Sequence, residues 1–325
     1  MPPLPEVAGV EFRMFAGRPD YPHCARLITA HARGEGHDRV ETVQKLASAY
    51  DHMVRCDPKR DLVVGEVDGN PVAFSRARWD PEPDGTRIYR QFCFVDPVFG
   101  GQGIGGALFA WNEERLREIA AEHEARAQWL EIYSNDRNPG LTALVRDHGY
   151  DKDTYFAEMV RPSVDDLPEH RLPEGIEVRP VTGDQLRAIW EADGEAGKDH
   201  WGFVERTEDD YQRFIEFPYL DTSLWKIAWD EEGVAGQVKS FIDTAQNEEY
   251  GRKRGWTEAI STARRWRRRG VAKALIVASI RELAGRGMSE VALGVHTDNP
   301  NGAYDLYAGL GYELVASWTS YRKPV

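Results

Sequence analysis

Hydrophobic and polar positions along the chain predict strands and helices that follow one another in a repeated order. In the second half, residues 224–229 and 234–242 carry strand patterns around a turn at 230–233, which predicts a β-hairpin. Apolar residues from 272 to 283 keep helical spacing, and a glycine-flanked stop at 285–287 precedes an apolar strand at 291–295. A short helix and a closing strand at 312–321 complete the half.

The first half repeats this order, and short sequence matches support the repeat. Four matches keep their order: GVEFR at 9–13 with GIEVR at 175–179, a hairpin turn near 68–71 with one near 231–233, GIG at 103–105 with GVA at 270–272, and GY at 149–150 with GY at 311–312. All are offset by about 160 to 170 residues. We therefore predict one domain type present twice, at 1–161 and 175–325, joined by a proline-rich acidic linker at 162–174.

Within each copy, the order is strand, helical stretch, two strands, strand–turn–helix, strand, helix and strand. In the first copy the corresponding predicted elements are a helix at 105–121, a strand at 128–133 and a helix at 141–147. Strands mixed with helices on both sides indicate an α/β or α+β fold.

Composition narrows the functional classes. The chain is 41% hydrophobic and 29% charged, which suits two globular cores, and its net charge of −13 disfavours general binding to nucleic acid or anionic membranes. No apolar run approaches the roughly 20 residues of a membrane-spanning helix. Three widely spaced cysteines form neither a disulfide framework nor a metal pattern, and the N-terminus lacks signal-peptide features. We expect a cytoplasmic protein without a metal site.

The stretch 257–273 has the features of a phosphate site. A strand at 257–262 leads through an arginine-rich turn to a helix that opens at Gly270. The first amides of a helix lack partners and lie at the positive end of its dipole, so they bind anions. The neighbouring guanidinium groups add charge-assisted donors. An ordinary solvated helix start has the same composition, so this stretch alone leaves both interpretations open.

Three motifs resemble those of the GCN5-related N-acetyltransferases (GNAT). RRRGVA at 267–272 fits the family signature R/Q-x-x-G-x-G/A, and AYDLYAGLGY at 303–312 fits A-x-x-L-Y-x-x-x-G-F/Y. VDPVFGGQGIG at 95–105 fits V-x-P-x-x-R-G-x-G-x-G except at Gly100. Because the motifs occur in order and in both halves, the chain resembles a tandem GNAT protein.

The resemblance implies two GNAT domains, each a mixed, mostly antiparallel sheet flanked by helices. Its fourth and fifth strands would splay apart and hold acetyl-CoA, the acetyl donor. In the second copy the residues expected to bind the cofactor are Ile260, Ser261, Thr262, Arg267, Arg268, Arg269, Gly270, Val271, Ala272, Lys273, Asn299 and Tyr304. In the first copy they are Val95, Gly100, Gly101, Gln102, Gly103, Ile104, Gly105 and Gly106.

The resemblance also suggests the catalytic groups. Tyr307 matches the family tyrosine that reprotonates the CoA thiolate, and a phenol is protonated at neutral pH. Glu258 is the candidate base, because its even spacing from Ile260 and Thr262 predicts that the three share one face of the strand. The family glutamate usually stands two residues earlier, where this chain has Trp256. A water relay, or a surface glutamate without a role, is therefore an alternative.

The first copy lacks these groups. Aligning the copies places Gln91 opposite Glu258, Val145 opposite Tyr307, and Gly100 opposite Arg267. The turn at 100–106 could still hold phosphate through backbone amides. We expect a catalytic C-terminal domain and a degenerate N-terminal one that is structural or only binds acetyl-CoA.

The acceptor is expected to be a primary amine of a small, possibly cationic molecule, attacked directly in the C-terminal domain. This expectation comes from acidic and aromatic residues at 193–213. A catalytically inactive acetyl-CoA sensor is one alternative. A nucleic-acid binder using the arginines at 264–269 is another, although the net acidity counts against it. The two copies could form an internal pseudo-dimer within a monomer, or the chain could be a homodimer.

Overall fold

The computed structural model describes residues 1–298 and 302–325. Within them the helices are α1 Tyr21–Gly34, α2 Val43–Tyr50, α3 Ile104–Ala121, α4 Pro139–Asp147, α5 Leu186–Gly197, α6 Glu208–Ile215, α7 Thr244–Tyr250, α8 Val271–Gly285 and α9 Ala303–Ala308. The strands are β1 Glu11–Met14, β2 Leu62–Val67, β3 Asn70–Pro81, β4 Thr86–Val95, β5 Ala127–Asn135, β6 Asp151–Arg161, β7 Glu177–Val178, β8 Lys226–Asp230, β9 Gly233–Phe241, β10 Arg254–Thr262, β11 Glu290–His296 and β12 Glu313–Pro324.

These elements form two compact units, each of which draws on separate parts of the chain. The first unit comprises Met1–Thr154, Thr207–Pro218 and Trp318–Val325. The second comprises Tyr155–Arg206 and Tyr219–Ser317. No helix in the described ranges is long and apolar enough to cross a bilayer.

Each unit contains a mixed sheet in which only one neighbouring pair is parallel. In the first unit the order is β1-β2-β3-β4-β5, followed by the end of β12, and the parallel pair is β4 with β5. In the second unit the order is β6-β11-β10-β9-β8-β7, and the parallel pair is β10 with β11. The mixed, mostly antiparallel fold predicted from the sequence is confirmed.

The parallel pair opens in both units. β4 and β5 pair only from Thr86 to Arg90, although both strands continue further. β10 and β11 pair only from Arg254 to Trp256 on the β10 side. Beyond these residues, β4 no longer pairs with β5, and β10 no longer pairs with β11. The splay between the fourth and fifth strands is therefore present twice.

The strand that closes each sheet comes from the other half of the sequence. Residues Trp318–Pro324 of β12 pair antiparallel with β5 in the first unit. Residues Phe156–Arg161 of β6 pair with β11 in the second unit. Alternation predicts that these segments are strands, but it carries no information about which of two similar edges they join. The domain boundaries predicted from the sequence are therefore still a prediction.

Helix α8 packs closely on the second sheet because glycines face it. A Cβ on Gly236 of β9 would lie 2.8 Å from Val271 Cγ1 and 3.2 Å from Leu275 Cδ1. A Cβ on Gly255 of β10 would lie 2.7 Å from Leu283 Cδ2. Val271, Leu275 and Leu283 are all buried in this interface. The close approach fixes the start of α8 beside the end of β10.

Candidate active site

The opening between β10 and β11 in the second unit forms a cavity of about 790 Å³. Its walls come from α5 and the segment after it, from the end of β10, from the start of α8, and from β11 and α9. The lining residues discussed below are Asp193, His200, Arg206, Glu258, Ile260, Ser261, Thr262, Arg267, Arg268, Gly270, Val271, Ala272, Lys273, Gly294, His296 and Tyr307. A volume of this size accommodates a ligand larger than a typical small metabolite.

The turn between β10 and α8 builds one end of the cavity. Arg268 and Gly270 both adopt left-handed backbone conformations, with φ of 60° and 84°. Gly270 caps α8, and the helix begins at Val271. The unpaired amides of the first helical turn therefore lie at the cavity wall, where they can bind diphosphate oxygens.

The first unit has the same turn geometry without the arginines. Gly100 has φ −62° and ψ 148°, while Arg267 has φ −62° and ψ 149°. Gly103, the cap of α3, has the same φ of 84° as Gly270. The predicted cofactor-binding residues of this turn, from Gly100 to Gly106, thus retain the backbone shape but not the guanidinium groups.

The arginines of the second turn differ in their surroundings. Arg267 lines the cavity, and its Nη1 donates to Asp199 Oδ2 at 2.7 Å. Arg268 also lines the cavity and forms no ion pair or hydrogen bond with any residue that the structure describes. Arg269 instead stacks over the Trp266 ring, with its guanidinium carbon 5.1 Å from the ring centroid. Arg269 therefore lies outside the cavity lining.

A β-bulge interrupts β10 at the candidate base. Glu258 pairs with Lys239 and Ser261 pairs with Gln237, so the two residues between them on β10 oppose the single residue Val238 of β9. Ala259 takes up the extra residue with φ 47°. The prediction that Glu258 shares a face with Ile260 and Thr262 is therefore wrong, because the bulge shifts the alternation and Ser261 takes that position. Gln237 Nε2 donates to Ser261 Oγ at 3.0 Å on this face.

Glu258 spans the opening between the strands. Its Oε1 accepts a hydrogen bond from the Gly294 amide of β11 at 2.7 Å. Burial raises the pKa of Glu258 to about 7, and the Glu158 carboxylate adds to this rise, while the Gly294 amide opposes it. A carboxylate with this pKa exchanges protons at neutral pH, as a general base requires.

Tyr307 contributes a buried phenol to the same cavity. It lies on α9 and is 7% exposed. Burial and the negative charge of Glu258 raise its pKa, so the phenol keeps its proton across the neutral range. Its hydroxyl group forms no hydrogen bond with another described residue, which leaves it available to a ligand.

Comparison of the two units shows that the predicted correspondence of Gln91 with Glu258 is wrong. Gln91 Nε2 donates to the Tyr150 hydroxyl at 3.1 Å, and Thr257 Oγ1 makes the matching contact with the Tyr312 hydroxyl at 2.8 Å. Gln91 therefore corresponds to Thr257, since β4 lacks the bulge of β10. The position opposite Glu258 is Phe92, not Gln91. The first unit still has no base there.

The equivalence of Val145 with Tyr307 agrees with the backbone. The Tyr150 amide donates to the Val145 carbonyl at 3.1 Å, and the Tyr312 amide donates to the Tyr307 carbonyl at 3.1 Å. Across the opening of the first unit, Asn138 Nδ2 also donates to Glu35 Oε1 at 2.6 Å. This contact joins the end of α1 to the N-terminal cap of α4 in that unit.

An ion-pair group that the sequence does not predict also lines the cavity. Asp193 Oδ2 is 2.8 Å from Arg206 Nη2 and 3.2 Å from Lys239 Nζ. Burial alone would raise the pKa of Asp193, but the two cations outweigh it and lower that pKa. Lys239 is on a strand and Asp193 is on a helix, so no local spacing signals their contact.

The acidic stretch expected to bind the acceptor does not act as a unit. Asp199 pairs with Arg264 and Arg267, and Glu195 pairs with Lys198. Helix α6, with its three acidic residues in the first turn, belongs to the first unit. Only Asp193 of these carboxylates lines the cavity, which also contains two histidines, His200 and His296.

Tyr304 is half-buried on α9 and is not part of the cavity lining, whereas its helix neighbour Tyr307 is. Asn299 lies outside the described residues. In the first unit, the Val95 carbonyl at the end of β4 accepts a contact from His31 Nδ1 at 3.3 Å.

Known proteins share this arrangement. The model of the family described as Acetyltransferase (GNAT) family matches residues 28–150 and again residues 185–312. The chain belongs to this family of acetyltransferases. Two copies of the GNAT domain, predicted from the motifs, are thereby confirmed, as are N-acetyltransferase activity and acetyl-CoA as the donor.

Curated relatives of this tandem GNAT chain are named mycothiol acetyltransferase. The one from Salinispora arenicola is 27% identical over 315 residues, which cover 94% of this chain and 95% of the relative. The one from Geodermatophilus obscurus is 25% identical over 267 residues, with 81% and 82% covered.

Solved structures show the same fold over the whole chain. A GCN5-related N-acetyltransferase from Sphaerobacter thermophilus has a TM-score of 0.71 at 25% identity and covers 99% of this chain and 97% of its own. A tandem GNAT protein from the clavulanic acid biosynthesis pathway has a TM-score of 0.66 at 17% identity, with 97% and 98% covered. The second likeness concerns the fold alone.

Proposed function

We propose that the second unit transfers the acetyl group of acetyl-CoA directly to a primary amine of a small molecule. The observation that carries this proposal is that Glu258, Tyr307 and the arginine-rich turn all line one cavity. The cavity thus offers a base, an acid and an anion site, the three groups that transfer from a thioester with a diphosphate tail requires. Glu258 acts as the base and Tyr307 as the acid.

The diphosphate would lie against the turn before α8. The amides at Gly270 and Val271 and the Arg268 guanidinium all border this end of the cavity. The pantetheine arm would follow β10 from Ala259 to Thr262, where no ladder to β11 occupies the backbone. Its amides would pair with that edge, because backbone donors and acceptors need partners when ligand excludes water.

The reaction then needs three proton transfers, because the ammonium form of the acceptor loses two protons and the CoA thiolate gains one. Glu258 takes a proton from the ammonium form of the acceptor, and the amine lone pair attacks the thioester carbonyl carbon. When the tetrahedral intermediate collapses, the carbon–sulfur bond breaks and the CoA thiolate takes the proton of the Tyr307 hydroxyl. The Tyr307 phenolate then takes the second proton from the acceptor nitrogen, so that a neutral amide forms and the phenol is restored, and Glu258 releases its proton to solvent. The raised pKa of Tyr307 keeps that proton in place until the thiolate forms.

The acceptor is proposed to be positively charged, and the charge is that of the amine that reacts. Asp193 is already paired with Arg206 and Lys239, so it offers little to a second positive charge. The carboxylate that meets the ammonium group is therefore Glu258. The acceptor of the relatives named mycothiol acetyltransferase belongs among the amines to be tested.

Catalysis is proposed to be confined to the second unit. Phe92 and Val145 occupy the base and acid positions of the first unit, and neither can transfer a proton. The nucleic-acid alternative is weakened because Arg264 and Arg267 are paired with Asp199, and Arg265 with Asp230.

Exchange of Tyr307 for phenylalanine tests the proposal. We expect Tyr307→Phe to lower kcat by about 10²- to 10⁴-fold on whichever amine supports turnover, with the Kd for acetyl-CoA unchanged. Turnover is measured by release of free CoA thiol from a panel of amines, and binding by calorimetry. Tyr304→Phe is the matched control, since Tyr304 is on the same helix but not in the cavity lining.

Wild-type kcat in Tyr307→Phe would remove Tyr307 from the mechanism. A chain that binds acetyl-CoA but releases no thiol with any amine would instead favour the sensor.

A further inference from the structure

Arg267, which is expected to meet diphosphate, is held by the protein itself. Its Nη1 donates to Asp199 Oδ2 at 2.7 Å, and its Nη2 donates to the Ala196 carbonyl at 2.9 Å. Its Nε donates to the Thr262 carbonyl at 3.4 Å. Three of its five N–H groups therefore point to protein acceptors.

Asp199 binds a second arginine of the same turn. Its two carboxylate oxygens accept from Arg264 Nη2 at 2.6 Å and Arg264 Nε at 3.0 Å, which is a bidentate pair. The two guanidinium groups hold the pKa of Asp199 at about 2, below its ordinary value. Guanidinium groups bind carboxylate and phosphate through the same pairs of N–H donors, so Asp199 occupies donors that a phosphate can use.

Asp199 also belongs to a segment that borders the acceptor end, the part of the cavity lined by Asp193, His200 and Arg206. Residues 198–206 follow α5, and this segment carries His200 and Arg206, both of which line the cavity. The ion pairs of Asp199 with Arg264 and Arg267 therefore connect the segment that borders the acceptor end to the turn before α8. Asp199 itself is 37% exposed at its side chain, so solvent and ligand can reach it.

We propose that Asp199 is a positioning residue that occupies the arginines of the phosphate turn and is displaced by the diphosphate of acetyl-CoA. The inference rests on the proposed function of this turn. Because two anions compete for the same guanidinium groups, binding of the diphosphate releases Asp199 and loosens the 198–206 segment. Cofactor binding is thereby linked to the shape of the acceptor end.

The linkage has a measurable consequence for affinity. Asp199→Asn keeps the shape of the side chain but removes its charge, so the competition weakens. We expect the Kd for CoA to fall about 5-fold or more, the lower range of couplings between linked sites. Glu191→Gln is the control, because it removes one negative charge from an exposed position of α5 that forms no ion pair with the turn among the described residues.

The second readout is hydrogen exchange of the backbone amides in the segment. In the wild type we expect CoA and inorganic pyrophosphate to speed exchange at 198–206, while S-acetylpantetheine, which has no diphosphate, leaves it unchanged. In Asp199→Asn the segment should exchange faster without ligand, and CoA should add no further change. A purely structural role for Asp199 would not depend on the diphosphate.

These outcomes separate the inference from the function on which it rests. The displacement would be overturned if the Kd of Asp199→Asn for CoA were unchanged or higher. It would also be overturned if S-acetylpantetheine sped hydrogen exchange at 198–206 as much as CoA does. In either case acetyl transfer would continue. If neither CoA nor pyrophosphate bound near the turn at all, the placement of the cofactor would fail as well.

Discussion

At the scale of single residues, the candidate site depends on a carboxylate whose environment is unusual for a strand surface. Glu258 bridges β10 and β11 through the Gly294 amide and has a pKa of about 7. Its protonation therefore changes within the physiological range, whereas an exposed glutamate would stay ionised there.

This raised pKa sets the pH dependence of the reaction. The base works only when ionised, so kcat/KM should be half-maximal near pH 7 on the acidic side and fall about tenfold for each unit below it. Glu258→Gln should lower kcat/KM by about 10²- to 10⁴-fold and abolish this limb. The measurement is the pH–rate profile of both proteins with one amine. An identical acidic limb in the variant would assign it to another group.

The candidate roles of individual residues could be predicted only where the residue belongs to a sequence motif. Tyr307 follows from the sequence of α9, and Arg267 and Gly270 follow from the turn. The face of Glu258 could not be predicted, because the extra residue at Ala259 has no signature in the alternation. The ion pairs of Asp193 are equally hidden, since their partners are distant in sequence.

At the scale of elements, the position of α8 on its sheet controls the cofactor end of the cavity. Gly236 lets the first turn of this helix lie directly against β9. The helix can therefore present its amides beside the end of β10. Strand and helix patterns predicted both elements within a few residues, because apolar spacing on each is regular.

We expect Gly236→Ala to destabilise the second unit by about 1–3 kcal/mol, since the added methyl group would overlap Val271 and Leu275. It should also weaken acetyl-CoA binding, because relief of the overlap moves the start of α8. Urea unfolding and calorimetry measure the two effects. Gly285→Ala is the control, as its Cβ would meet nothing within 4 Å. Equal stability of the two variants would contradict this account of the packing.

At the scale of the whole molecule, the chain repeats one fold, and each sheet is closed by a strand from the other half of the sequence. The end of β12 pairs with β5 and brings Arg322 to the buried Glu131, with Nε 2.8 Å from Oε1. The repeat, the fold class and the family were predictable because motifs recur in order. The exchange of closing strands was not, because the edges of two similar sheets offer the same backbone groups.

Removal of residues 318–325 should therefore destabilise the first unit. β5 would lose a whole ladder of hydrogen bonds and Glu131 would lose one of its arginines, so we expect faster hydrogen exchange along 127–135 and unfolding at lower urea. Leu314→Ser, on the exposed part of the same strand, is the control. Undiminished protection of β5 in the shortened chain would show that the edge pairing contributes little.

The exchanged strand also governs when the protein can finish folding during synthesis. The first unit needs Trp318–Val325, which a ribosome translates more than 160 residues after Thr154. At about 5–20 residues per second, its sheet waits roughly 10–30 s after Thr154 is made. During that interval the edge of β5 is open to other nascent chains. The yield of folded enzyme should therefore depend on translation speed and on chaperones.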